Sequence, residues 1–123
     1  MLNKSKLINF IAAKDPEKAR KFYEVTLGLK FVSGDQFALV FEVKDTMLRI
    51  QIVEEVNPHR YTSLGWEVTD LVNDISELTQ RGVKFARYEG MGQDEKGVWR
   101  APSGAKVAWF TDPAGNILSL TEF

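Results

Sequence analysis

Few side chains in this sequence can do chemistry on their own. His59 is the only histidine and cysteine is absent, which excludes thiolate catalysis, disulfides and zinc-finger sites. His59 stands beside Pro58 and Arg60 in the polar stretch 54–60, the setting of a surface loop. Ser63 and Ser119 therefore lack an imidazole to activate them, and a Ser-His nucleophile requires His59 to fold inward. Glu67 is the one candidate for a proton-abstracting base, provided that burial raises its pKa. The remaining polar candidates, Arg49 and Gln51, and the aromatic Trp99 and Trp109 are better suited to holding a ligand than to reacting with one.

The elements that position these residues follow from period and turn chemistry. Residues 107–121 contain two strand-forming runs around Asp112-Pro113-Ala114-Gly115-Asn116, turn residues that predict a hairpin. On its second strand Ile117, Ser119 and Thr121 share one face and Leu118 and Leu120 the other. Nearer the start, residues 7–13 read as a strand. Asp15, Pro16 and Glu17 form a helix start, Ala19, Phe22 and Tyr23 a buried stripe, and Gly28 a stop. Strands are predicted near 29–33, 37–43 and 47–53. In the last of these Leu48, Ile50 and Ile52 oppose Met47, Arg49 and Gln51.

The pattern then restarts. Residues 61–69 read as a strand, Asp70 as a helix cap, Leu71, Ile75 and Leu78 as a buried stripe, and Gly82 as a stop. Gly28-Leu29-Lys30-Phe31 recurs 54 positions later as Gly82-Val83-Lys84-Phe85, with Val83–Phe85 predicted as a strand. The chain is an internal repeat of a βαβββ unit, with modules at about 6–54 and 61–123 in a single domain spanning 1–123. The second copy carries the glycine-rich insertion 88–97, read as a mobile loop that is either a lid or a solvated connection, with a short strand at 98–101.

Composition narrows the function classes. Net charge is −1 with both signs interspersed over 123 residues, which argues against nucleic acid and anionic membranes as partners. No apolar run approaches the roughly 20 residues of a membrane span, and the start lacks a signal peptide's apolar core. A cytoplasmic location is expected.

Three motifs carry a resemblance: Asp15 followed by Phe22-Tyr23 and Gly28-Leu29; Glu67-Val68-Thr69-Asp70-Leu71; and Phe110-Thr111-Asp112-Pro113-Ala114-Gly115-Asn116. Together they resemble the vicinal oxygen chelate superfamily, the glyoxalase, bleomycin-resistance and extradiol dioxygenase group. The resemblance implies an α+β fold of two βαβββ modules whose sheets curl into an open cup with helices on the convex side. It also implies a small-molecule ligand and a homodimer.

Enzymes of that superfamily usually hold a divalent metal on the concave face. The positions that match their ligands are Ile8, Gln51, Ser63 and Ser119. Ile8 has no donor and serine hydroxyls are poor ligands for Zn, Fe, Mn or Ni, so no metal and no cofactor is expected. The resemblance then implies a cup lined by Met47, Arg49, Gln51, Ser63, Glu67 and Ser119, with Trp99 and Trp109 either stacking on a planar ligand or filling a core or interface. Trp66 belongs with the convex-side core. Three readings stand for Arg49: a salt bridge with Glu67, a ligand carboxylate or phosphate contact, or an exposed edge. The expected function is metal-independent binding of an aromatic or acid-bearing organic molecule. The alternative is a glyoxalase- or dioxygenase-type enzyme with an atypical metal site or metal-free acid–base chemistry, so enzymatic activity is left open.

Overall fold

The computed structural model describes residues 1–123 as two compact units, Met1–Pro58 and His59–Phe123. Each holds an open, mixed four-stranded sheet in a βαβββ order, an α+β architecture.

In the first unit, β1 (Ile8–Ala13) leads into α1 (Pro16–Arg20). The Asp15 carboxylate accepts the Glu17 and Lys18 backbone N–H groups at 3.1 Å each, the cap that its position predicts. From Lys21 to Thr26 the helix winds as π turns, and the Leu27 N–H donates to the Phe22 carbonyl at 2.9 Å. Gly28 then takes a φ of 73°, the left-handed stop expected of it. Strands β2 (Lys30–Gly34), β3 (Ala38–Val43) and β4 (Thr46–Ile52) complete a sheet of order β1-β4-β3-β2, in which β1 and β4 run parallel. Alternation divides the sheet as the sequence predicts. Ile11, Ala13, Leu48 and Ile50 are buried with Tyr23 and Phe41, whereas Ile8 and Phe10 are 45% and 54% exposed on the other face.

The second unit repeats the plan with β5 (Thr62–Glu67), α2 (Leu71–Gln80), β6 (Trp99–Arg100), β7 (Lys106–Thr111) and β8 (Ile117–Glu122), in the order β5-β8-β7-β6. Asp70 caps α2 by accepting the Asn73 N–H at 3.1 Å. Glu122, reaching from β8, accepts the Leu71 N–H at 2.9 Å and pairs with Lys106 at 2.8 Å. α2 packs on β8, covering Leu118 and Leu120 with Leu71 and Ile75. One predicted element is corrected: Val83–Phe85 is not a strand. It runs along α2 with Val83 buried, and Phe85 packs on Phe110 with ring centroids 5.4 Å apart and planes tilted by 58°. The place at the sheet edge is taken instead by the short β6 paired with β7. No helix is long and apolar enough to cross a membrane.

Candidate functional site

In the second unit the open face of the sheet is built from cross-strand pairs. Ser119 lies between Gly65 of β5 and Trp109 of β7, and Thr121 between Glu67 and Val107. A Cβ placed on Gly65 would stand 2.7 Å from the Ser119 Oγ, so glycine is what lets the two strands carry the hydroxyl there. Ser119 is 7% exposed; its hydroxyl meets no partner within the unit and keeps a solvent-facing surface. It is a free donor and acceptor on an otherwise closed-packed strand.

Beside it stands an aromatic wall. The Trp109 ring is tilted 37° to Trp99 at a centroid distance of 5.9 Å and meets the edge of Tyr88 at 5.7 Å and 79°. The Trp109 Nε1–H donates to the Thr62 hydroxyl at 3.1 Å, which fixes the indole along the face. Two devices bring Tyr88 and Trp99 to it. The Ala86 N–H donates to the Trp109 carbonyl at 2.7 Å, tying the chain before Tyr88 to β7. The Gln93 amide then braces the insertion: its oxygen accepts the Tyr88 N–H at 2.7 Å, and its nitrogen donates to the Ala86 and Gly97 carbonyls at 3.0 and 2.7 Å. Asp94 adds bonds from the Lys96 and Val98 N–H groups at 2.9 Å each. The glycine-rich insertion is thus a cross-braced loop rather than the loose one that its composition predicts.

The other predicted residues divide between the units. Met47, Arg49 and Gln51 share the open face of β4, in register with Ile8, Phe10 and Ala12 of β1. Met47 and Gln51 are exposed and Arg49 is half-buried. Arg49 makes no ion pair inside its unit. Its charge, after the Phe37 and Ala38 backbone N–H groups, helps to hold the Asp35 carboxyl below the usual range. Glu67 is exposed at the end of β5. Ser63 falls in a register shift between Thr62 and Leu64, and Thr62 takes the position opposite Ile117. Trp66 pairs with Leu120 on the helix-covered face, as expected. Tyr88, Thr62 and Gln93 are the residues that sequence reasoning misses. Only the nearness of Tyr88 to the tryptophans offers a signal.

A model of the Glyoxalase/Bleomycin resistance protein/Dioxygenase superfamily matches residues 7–120. The chain belongs to this superfamily. Similar solved structures include a superfamily member from Sphaerobacter thermophilus DSM 20745, at 25% identity and TM-score 0.77 over 100% of both chains. The fosfomycin resistance protein FosX from Listeria monocytogenes shares 10% identity and a TM-score of 0.77, over 98% of this chain and 93% of its own. Lactoylglutathione lyase from Agrobacterium tumefaciens shares 18% identity and a TM-score of 0.70, over 97% and 93%. No curated protein matches.

The metal that the superfamily implies does not fit these residues. Ile8 offers a hydrocarbon, Ser119 a neutral hydroxyl, and the shift at Ser63 brings in another hydroxyl, that of Thr62. Gln51 supplies one amide oxygen, short of the about three protein ligands that hold a divalent ion against water. His59 is exposed and stacks flat on Tyr61, with centroids 4.7 Å apart. Within neither unit do three His, Asp or Glu side chains converge.

Proposed function

We propose that this superfamily member binds a small organic molecule without a metal, and that the ligand is planar and aromatic or carries an acid group. The wall formed by Trp109, Trp99 and Tyr88 beside the free Ser119 hydroxyl carries the reading. Rings packed against one another supply apolar area at low entropic cost, and a nearby hydroxyl orients a polar substituent. Met47, Arg49 and Gln51 are proposed as further contacts, with Arg49 facing the acid group; Ser63 and Glu67 complete the proposed set. The reading takes 1–123 as one domain of two modules. The exposed Ile8 and Phe10 suit burial against a second copy, so a homodimer is expected by sedimentation.

Tryptophan fluorescence tests the site directly. Titration with a panel of planar aromatic carboxylates should give saturable quenching that Trp99→Ala weakens by about tenfold or more. Arg49→Ala should weaken carboxylates but not their amide analogues, with the melting temperature unchanged because no ion pair inside the unit is lost. Equal binding by the Trp99→Ala variant, or a drop in melting temperature for Arg49→Ala, would refute these roles.

A further inference from the structure

A groove of about 480 Å³ lies in the second unit, on the helix side of its sheet, and Tyr88, Trp99 and Trp109 do not line it. Its side is fixed by Phe85, which lines it and packs on Phe110, the neighbour of Leu118 on the helix-covered face. One wall is α2, with exposed Val72 and buried Ile75, and the other is the returning chain, with Val83 and Phe85. Ile75 and Val83 are buried and form the floor. The rim carries Lys84, Arg87 and Lys96 against a single carboxylate, Glu95. None of these four takes part in an ion pair.

We propose that this groove is a second ligand site and that it takes an amphipathic monoanion, an apolar chain or ring system ending in a carboxylate, sulfonate or phosphate. The volume falls in the range of small-molecule sites, about 300–1,000 Å³. The floor is apolar, Ser76, Thr79 and Gln80 of α2 add neutral polar groups, and the rim is mainly cationic, so the apolar body and the charge of such a ligand each meet a matching surface. Surface lysines and arginines are usually interspersed with acids; here three stand unpaired around one hollow, and their field favours an anion. The walls are already in place. Gln93 and Asp94 brace the segment that carries Glu95, Lys96 and Gly97, so little ordering remains to be done on binding. This site does not depend on the aromatic wall being a ligand site.

The test is an NMR titration of ¹⁵N-labelled full chain with octanoate, with octyltrimethylammonium and inorganic phosphate as comparison probes. Octanoate should saturate shifts of the amides in 79–87 and 95–97 and leave those of Trp109 and Ser119 in place. Lys84→Glu with Arg87→Glu should weaken it by about tenfold or more. Val72→Glu, which sets a carboxylate at the mouth on an exposed helix position, should do the same by an independent route. Both changes are at exposed positions, and retained amide dispersion verifies the fold. Equal binding of the ammonium probe would overturn the proposal, as would phosphate matching octanoate. Shifts confined to the Trp109 and Ser119 strands would place octanoate on the aromatic face and overturn it as well.

Discussion

Gly65→Ala should change the sign of its effect on stability according to what stands at position 119. In the parent, the added methyl lies 2.7 Å from the Ser119 Oγ, where ordinary contact begins at 3.4 Å. Rotating the hydroxyl away turns it toward Trp109, its neighbour on the other side. Overpacking of this kind costs about 1–3 kcal/mol. Replacing glycine without a positive φ returns about 0.4–1 kcal/mol through the unfolded chain, so the net loss is about 1 kcal/mol. In a Ser119→Ala background the nearest atom of residue 119 other than the backbone is its Cβ at 4.0 Å. The same change should then stabilise by about 0.5 kcal/mol. The coupling between the two sites is therefore about 1.5 kcal/mol, within the range for residues in contact. Urea denaturation of the four proteins in the cycle measures it, and thermal melts should show a spread of roughly 4 °C per kcal/mol. If Gly65→Ala has the same effect in both backgrounds, Gly65 and Ser119 do not share a face, and the assignment of the open face fails with it.

Two further outcomes follow from individual hydrogen bonds of the second unit. Gln93→Ala removes three bonds that brace the insertion, at about 1 kcal/mol net each; hydrogen exchange at the Tyr88 and Val98 amides should quicken by about thirtyfold or more, and unchanged protection would refute the brace. The Leu71 N–H and then the Lys106 ammonium hold the Glu122 carboxyl below its ordinary range. A carboxylate depressed in the folded state contributes stability above the ordinary carboxylate range and loses it as pH falls through the folded value. Glu122→Gln should therefore lower the melting temperature at neutral pH, with the gap to the parent closing as pH falls below the ordinary carboxylate range; a gap that persists in acid would contradict this.

The framework is legible in the sequence because its signals are local. Asp15 and Asp70 cap the helices, Gly28 and Gly82 end them, and the alternation along Met47–Ile52 assigns both faces of β4. Features that depend on a neighbouring strand are not legible. Strand parity has a period of two, so the single register shift at Ser63 moves Thr62 into the place that parity assigns to Ser63. The strand expected at Val83–Phe85 has the right composition, but its edge position is occupied by Trp99–Arg100, 32 positions beyond the end of β5 at Glu67 and reached only through the braced insertion. Gln93 carries no motif at all: a glutamine among glycines and acids looks solvated until the carbonyls of Ala86 and Gly97 are brought to it. The π turns at 21–26 likewise leave the apolar stripe of Ala19 and Tyr23 intact and are invisible to a helical period.

In the proposed site an aromatic wall and a free hydroxyl, rather than an ion, hold the ligand. Elemental analysis by plasma mass spectrometry of protein purified without chelators tests it most directly. With a hydrocarbon at Ile8, one amide at Gln51 and neutral hydroxyls at Thr62 and Ser119, Zn, Fe, Mn and Ni should be far below one equivalent per chain, with none retained after dialysis against added metal. A stoichiometric ion that survives such dialysis would contradict the account.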